Sequence, residues 1–206
     1  IRVDLAQEAR YLAALLVELM PDEPECLGLQ ALIEATHARS AARLSPDGHQ
    51  VLLADQDRKL WDHNAIALAH RLNERAAGLG RPGPYQYQAA IACLHGDARS
   101  FEDTDWREIW ALYGRLYLIN PTPVVAVNAA VAQSFAESPE SALASLDRLS
   151  GADHWHFYHV ARAYCLDRMG RRPEALAALD RALAADLNEA DRLILEERRR
   201  SFLEDG

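Results

Sequence analysis

Apolar residues recur at helical spacing along nearly the whole chain, and strand-type alternation is almost absent. Leu5, Ala9, Leu12, Leu16 and Leu19 fall at spacings of four and three, which predicts one apolar stripe on a first helix from about Asp4 to Met20. Asp4 and Gln7 are placed as a capping box for it. Pro21-Asp22-Glu23-Pro24 ends that helix, and a second follows to about Ala42, with Leu29, Leu32, Ile33 and Thr36 inward. The pattern then breaks. Leu44 to Leu53 holds a turn signal, Pro46-Asp47-Gly48, between short apolar flanks and predicts a small β-hairpin or an ordered loop.

Helical spacing resumes after Asp62 and stops at Gly78-Leu79-Gly80. Further helices are predicted from Tyr85 to His95, from a Thr104 cap to Ile119, and from Val124 to Phe135. Ser138 before Pro139 marks the start of the next, to about Leu149. Asp153 is placed to cap a helix that closes at Gly170, and two more cover 173–185 and 189–203. The sum is about ten helices in about five antiparallel pairs, with no linker-like stretch between them.

Within that pattern one segment occurs twice. The octet Ala142 to Leu149 returns at Ala175 to Ala182, 33 residues later, and each copy follows a Pro-Glu pair. A period in the low thirties carried by alanine-rich helices is the mark of stacked helix-turn-helix repeats. Such repeats bury their apolar faces only by stacking, and they present a concave binding surface. Ala163, Leu166, Gly170, Ala175, Leu179 and Ala182 fall where a tetratricopeptide repeat (TPR) wants small or large apolar side chains and a turn glycine. Leu187 stands where its usual proline would be. The expected architecture is all-α, a right-handed α-solenoid of TPR-like pairs forming a single domain over 1–206. Residues 1–54 would form a degenerate N-terminal pair plus hairpin, 55–119 degenerate pairs and 120–206 the clearest repeats.

Composition narrows the function. A net charge of −9 speaks against this chain gripping a phosphate backbone by itself. Lys59 is the one lysine among 22 basic residues, so the basic side chains are almost all planar forks suited to carboxylates. The Arg198-Arg199-Arg200 run follows Glu196-Glu197 and reads as a solvated helix face. Cys26, Cys93 and Cys165 are widely spaced and read as small buried hydrophobes in a reducing compartment. With neither signal peptide nor membrane-spanning run, a cytoplasmic chain without membrane contact is expected. The chain opens at Ile1 on helical pattern, which suggests a piece of a longer protein.

Candidate chemistry is sparse. His154, His156 and His159 form the densest histidine group, but no carboxylate or cysteine completes a metal set at helical spacing. Asp55, Asp57, Arg58, Trp61 and Asp62 form a polar-aromatic cluster that reads either as a capping network or as a contact surface. Trp106, Trp110, Tyr113 and Tyr117 make an aromatic stripe that reads as core. No nucleophile elbow, phosphate-cradling loop or carboxylate pair is present, so neither an enzyme nor a cofactor or metal is expected.

A set of short motifs in fixed order carries a resemblance. Asp55-Gln-Asp-Arg58 and Trp61-Asp62 are followed by Gly80-Arg-Pro-Gly-Pro-Tyr-Gln86, Gln88-Ala-Ala-Ile-Ala92 and His95. Asp103-Thr-Asp-Trp106, Leu112-Tyr113, Pro121-x-Pro-Val-Val125 and Asn128 continue it. The chain resembles the C-terminal, TPR-containing extension of bacterial extracytoplasmic-function (ECF) RNA polymerase sigma factors. Ala129 stands where members commonly carry arginine. The resemblance implies that DNA-binding sigma regions two and four precede Ile1, and that this chain modulates transcription initiation through contacts with that sigma core or with RNA polymerase. DNA would be bound only through the preceding regions. The surface expected to act is Asp55, Asp57, Arg58, Trp61, Asp62, Tyr85, Gln88, His95, Asp105, Trp106 and Asn128. The alternative is a sensor whose concave pocket takes a small-molecule effector through Trp61, Tyr85, His95 and Asn128.

Overall fold

Proline placement and short polar caps set most of the helix starts. The computed structural model describes residues 3–46 and 48–204; the side chain of Asp4 and all of Asp47 lie outside the described residues. The chain is all-α, and helices that follow one another pack in pairs over the first four helices and over the sixth to the tenth, counted in chain order. Its contacts divide it into two compact units, Ile1–Asp105 with Leu118–Asn120, and Trp106–Tyr117 with Pro121–Gly206.

The first unit contains α1 (Val3–Leu19), α2 (Pro24–His37), α3 (His63–Gly78) and α4 (Pro84–Asp97). Pro24 and Pro84 open α2 and α4, where a fixed φ and a missing N–H suit the first turn. α2 is central and packs on α1, α3 and α4. The core is Leu27, Ala31 and Ala35 of α2, Ala69, Leu72 and Ala76 of α3, and Ala89 and Cys93 of α4. Small residues dominate it, so the backbones approach closely. A Cβ on Gly28 would lie 2.7 Å from the Gln86 backbone nitrogen.

Residues 38–62 form a folded connection. Short 3-10 turns at Ser40–Ala42, Leu53–Asp55 and Arg58–Leu60 flank one antiparallel bridge, Leu44 to Gln50. The Val51 N–H bonds the Arg43 carbonyl at 2.8 Å and the Ser45 N–H bonds His49 at 2.8 Å. The hairpin-or-loop expectation therefore resolves as an ordered loop, too short on each side of its turn for strands. Trp61 fills its base with Ala38, Ala42, Ala65 and Ile66.

The face that α2 buries differs from the expected one. Leu27, Gln30, Ala31, Glu34 and Ala35 are buried, whereas Leu29, Leu32, Ile33 and Thr36 remain half-exposed. On α1 the predicted leucine stripe stands open: Leu5 is 52% exposed, Leu12 50%, Leu16 38% and Leu19 70%. Ala13 is the buried residue, and Arg10 forks onto Glu34 at 2.8–3.1 Å. The small side chain and the bidentate pair select the contact face over the larger leucines.

The second unit contains α5 (Trp106–Ile119) up to Tyr117, α6 (Pro123–Ala136), α7 (Pro139–Asp147), α8 (His156–Arg168), α9 (Arg172–Leu183) and α10 (Glu189–Glu204). α6 packs with α7 and α8 with α9, and α7 on α8 and α9 on α10 continue the series. The repeated octets do the same work in both copies. Ala142 and Leu146 of α7, like Ala175 and Leu179 of α9, are fully buried in one core with Ala163 and Leu166. Gly170 adopts φ 71°, the left-handed turn that ends α8, and the Arg171 N–H returns to the Leu166 carbonyl at 2.9 Å.

Two predicted caps moved. α5 begins at Trp106, so Asp105 flanks its start, and the buried Thr104 hydroxyl donates to the Ser100 carbonyl. α8 begins at His156 without a side-chain cap; Asp153 instead offers its carbonyl to the His159 ring at 2.6 Å. Nor is the arginine run a wholly solvated face. The Arg198 guanidinium lies over the Tyr164 and Phe202 rings, and Arg199 bonds Asp180 at 2.6 Å.

Candidate functional site

Most of the residues expected to act come together where the 38–62 connection meets the start of α3 and the end of α4. Asp57 caps the Arg58–Leu60 turn by accepting from the Lys59 N–H at 3.0 Å. Asp62 caps α3, accepting from Asn64 and Ala65 at 2.9 and 3.1 Å. Asp55 is exposed at the end of its own short turn. Arg58 reaches across to the end of α4, where Nη1 donates to the His95 and Ala98 carbonyls at 2.6 and 2.8 Å. A cation on these last carbonyls satisfies unpaired acceptors and suits the negative end of the helix.

Trp61, 4% exposed, receives two guanidiniums over its ring, Arg58 at 4.5 Å and Arg39 at 5.8 Å. Burial lowers the pKa of both arginines; it brings that of Arg39 down to about 10, with the like charges of Arg43 and Arg58 adding to the fall. The same two cations, after burial, push His95 down to about 4.

The Gly80-to-Gln86 motif has a structural explanation. Glu25 of α2 caps α4, accepting from the Tyr85 N–H at 2.9 Å, the Gln86 N–H at 3.2 Å and the Gln86 side chain at 3.3 Å. Gly83 makes room for that carboxylate, since a Cβ there would land on it. Buried Gln86 also donates to the Arg81 carbonyl at 3.0 Å. The Tyr85 side chain is exposed, and Gln88 turns back to the Pro84 carbonyl at 3.2 Å. Tyr85 and Gln88 lie at the start of α4 and His95 near its end, so these three do not meet as one pocket.

Asp105 is exposed. In the second unit Trp106 is half-buried and stacks on Phe135 at 4.2 Å; Trp110 and Tyr113 are also half-buried and Tyr117 is 41% exposed, so the aromatic stripe expected as core is only partly covered, and Ile109 and Leu116 are the buried residues of α5. Asn128 is exposed on α6. The histidine group divides: His159 is buried against Asp153, and His156 lies against Phe157 at 4.0 Å. Among the described residues no group of three or more His, Cys, Asp or Glu could hold a metal ion, and no helix is long and apolar enough to cross a membrane.

Sequence reasoning passed over three features. Arg39 gave no signal beyond its charge. Glu25 and Glu34 carried no assignment, yet one caps α4 and the other is 3% exposed under Arg10. The third is an apolar groove of about 330 Å³ between α1 and α2, lined by Ala6, Ala9, Leu32, Ile33, Thr36 and neighbouring residues. Leu5 and Leu12 share the helix face of Ala9, one turn away on either side, and Leu16 and Leu19 continue the stripe. They were visible in the sequence, but as a stripe to be buried.

Residues 1–77, which span α1, α2, the connection and most of α3, match a family of unknown function, DUF6596. The chain is similar to an uncharacterized protein of Rhizobium meliloti (strain 1021), with 46% identity over 195 residues, covering 93% of this chain and 45% of the relative. The chain thus spans a little under half the length of that relative. No solved structure matches.

Proposed function

We propose that this chain is the C-terminal regulatory and protein-interaction domain of an ECF-type RNA polymerase sigma factor, which docks on the sigma core through the α1–α2 hairpin. The observation that carries the docking surface is the uncovered leucine face beside the apolar groove. Four leucines at heptad-like spacing are the knobs that a partner helix accepts, and exposed apolar patches of this kind mark interaction sites. The ordered motifs from Asp55 to Asn128 support the sigma-factor assignment, and the greater length of the Rhizobium relative is compatible with additional domains. The charge of −9 suits a partner that is basic because it binds DNA.

Run-off transcription with RNA polymerase tests this reading, comparing the full-length protein with a version truncated before Ile1. Higher activity on truncation makes the domain a built-in inhibitor, and lost activity with a folded core makes it an obligatory docking element. Unchanged transcription sinks the proposal. Binding of the separate domain to the sigma core should weaken as salt is raised, since exposed charges are screened within about 8 Å at physiological ionic strength. Insensitivity to salt would reject the charge-complementary part.

A further inference from the structure

The two apolar stripes that the sequence marks for burial on α1 and α2 meet at one groove. On α1 the stripe is Leu5, Ala9, Leu12, Leu16 and Leu19, and all five are exposed. On α2 it is Leu29, Leu32, Ile33 and Thr36, and all four are half-exposed. Ala9 from the first stripe and Leu32, Ile33 and Thr36 from the second line the same hollow of about 330 Å³. Two helices with open stripes beside a shared hollow make two-thirds of a three-helix bundle. Apolar positions three and four apart on both walls present the ridges and grooves that a third helix packs along. From Leu5 to Leu19 the α1 stripe runs about 21 Å, or about four turns of such a helix.

Charge selects the occupant. α1 presents Glu8 and Glu18 to solvent, and its one cation between Val3 and Leu19, Arg10, is already forked onto Glu34. Glu8 directly precedes Ala9 and borders the leucine stripe. A second copy of this chain would bring matching leucines, but also the same acids and a net charge of −9, so like charges would be set against one another. A helix with lysine or arginine along its edge meets complementary charge at the same place.

We propose that the α1–α2 groove receives a single basic amphipathic helix of the sigma core, which completes a three-helix bundle. Its apolar side lies against both stripes, and its lysine or arginine edge lies beside Glu8. The sigma core as the source of the helix rests on the sigma-factor reading; the two stripes and the acids define its chemistry.

The test titrates the 206-residue chain with two labelled synthetic peptides, each long enough for about five helical turns. Both carry leucines three and four apart; one has lysine along its edges and the other glutamate. The lysine peptide should bind saturably and more tightly than the glutamate peptide. Hydrogen exchange should slow in both 5–19 and 29–36 and stay unchanged in 63–78. Glu8→Lys, a change at an exposed side chain, should reduce the preference for the lysine peptide by about threefold or more. No binding of either peptide, equal binding of both, or protection confined to α1 overturns the proposal. So does dimerisation of the free chain that Leu12→Glu with Leu16→Glu removes, because a second copy would then fill the groove. None of these measurements contains polymerase or sigma core. If the peptides fail while the sigma core is still captured, docking stands and the single-helix occupant falls. If the peptides rank as expected while truncation leaves transcription unchanged, the helix-binding groove stands and the sigma core is overturned as its source.

Discussion

Burial and two guanidiniums hold the His95 imidazole neutral, with its pKa lowered to about 4. In the unfolded chain that ring protonates near pH 6.5. Between these values the unfolded state binds the extra proton, so stability is lost as pH falls from about 6.5 towards 4. Between pH 7 and pH 5 this contributes about 2 kcal/mol. Urea unfolding at the two pH values should show wild type losing that much more than His95→Gln; equal losses would exclude His95 as the source. Gly28 sets a different constraint, because its missing side chain lets α2 lie on the α4 backbone at Gln86. Gly28→Ala must push the helices apart and should cost about 1–3 kcal/mol, or several degrees in the melting temperature at this chain length. A melting point at or above wild type would show that the helices yield freely.

At the scale of the element, α1 is the informative case. Its stripe has the spacing of a buried seam, yet the helix is held through Ala13 and the Arg10–Glu34 fork. Leucines exposed by 38–70% contribute little to this chain's own stability. Leu12→Glu with Leu16→Glu should therefore change the unfolding free energy by less than about 1 kcal/mol while abolishing capture of the sigma core. A large loss of stability would mean that the face packs within the chain after all, and undiminished capture would place the docking surface elsewhere. α4 shows the opposite relation. Its conspicuous motif is absorbed largely by its own start, through Gly83, Gln86 and the carboxylate lent by Glu25.

At the scale of the whole chain, each compact unit buries its alanines and leucines in cores of its own. The second unit repeats one solution, with Ala142 and Leu146 answered by Ala175 and Leu179, so its neighbouring helices share a core as stacked repeats do. The first unit is built around α2, and there the alanines set helix spacing while most of the larger apolar side chains of α1 stay outside.

The sequence by itself determined the all-helical class, the helix order, most proline and serine starts, and the two equivalent octets of the second unit. These depend on local signals: a 3.6-residue period, proline's fixed φ and a cap within three residues. It also singled out Arg58, Trp61 and Asp62 as a group, because they are close in the chain. Only the tertiary structure decided which side of α1 and α2 is buried, since periodicity gives a stripe but not the partner that covers it. Long-range approach likewise placed Glu25 on α4, Arg39 behind Trp61 and Arg58 on the carbonyls of His95 and Ala98. Those contacts join residues distant in sequence, where spacing carries no information and packing alone chooses.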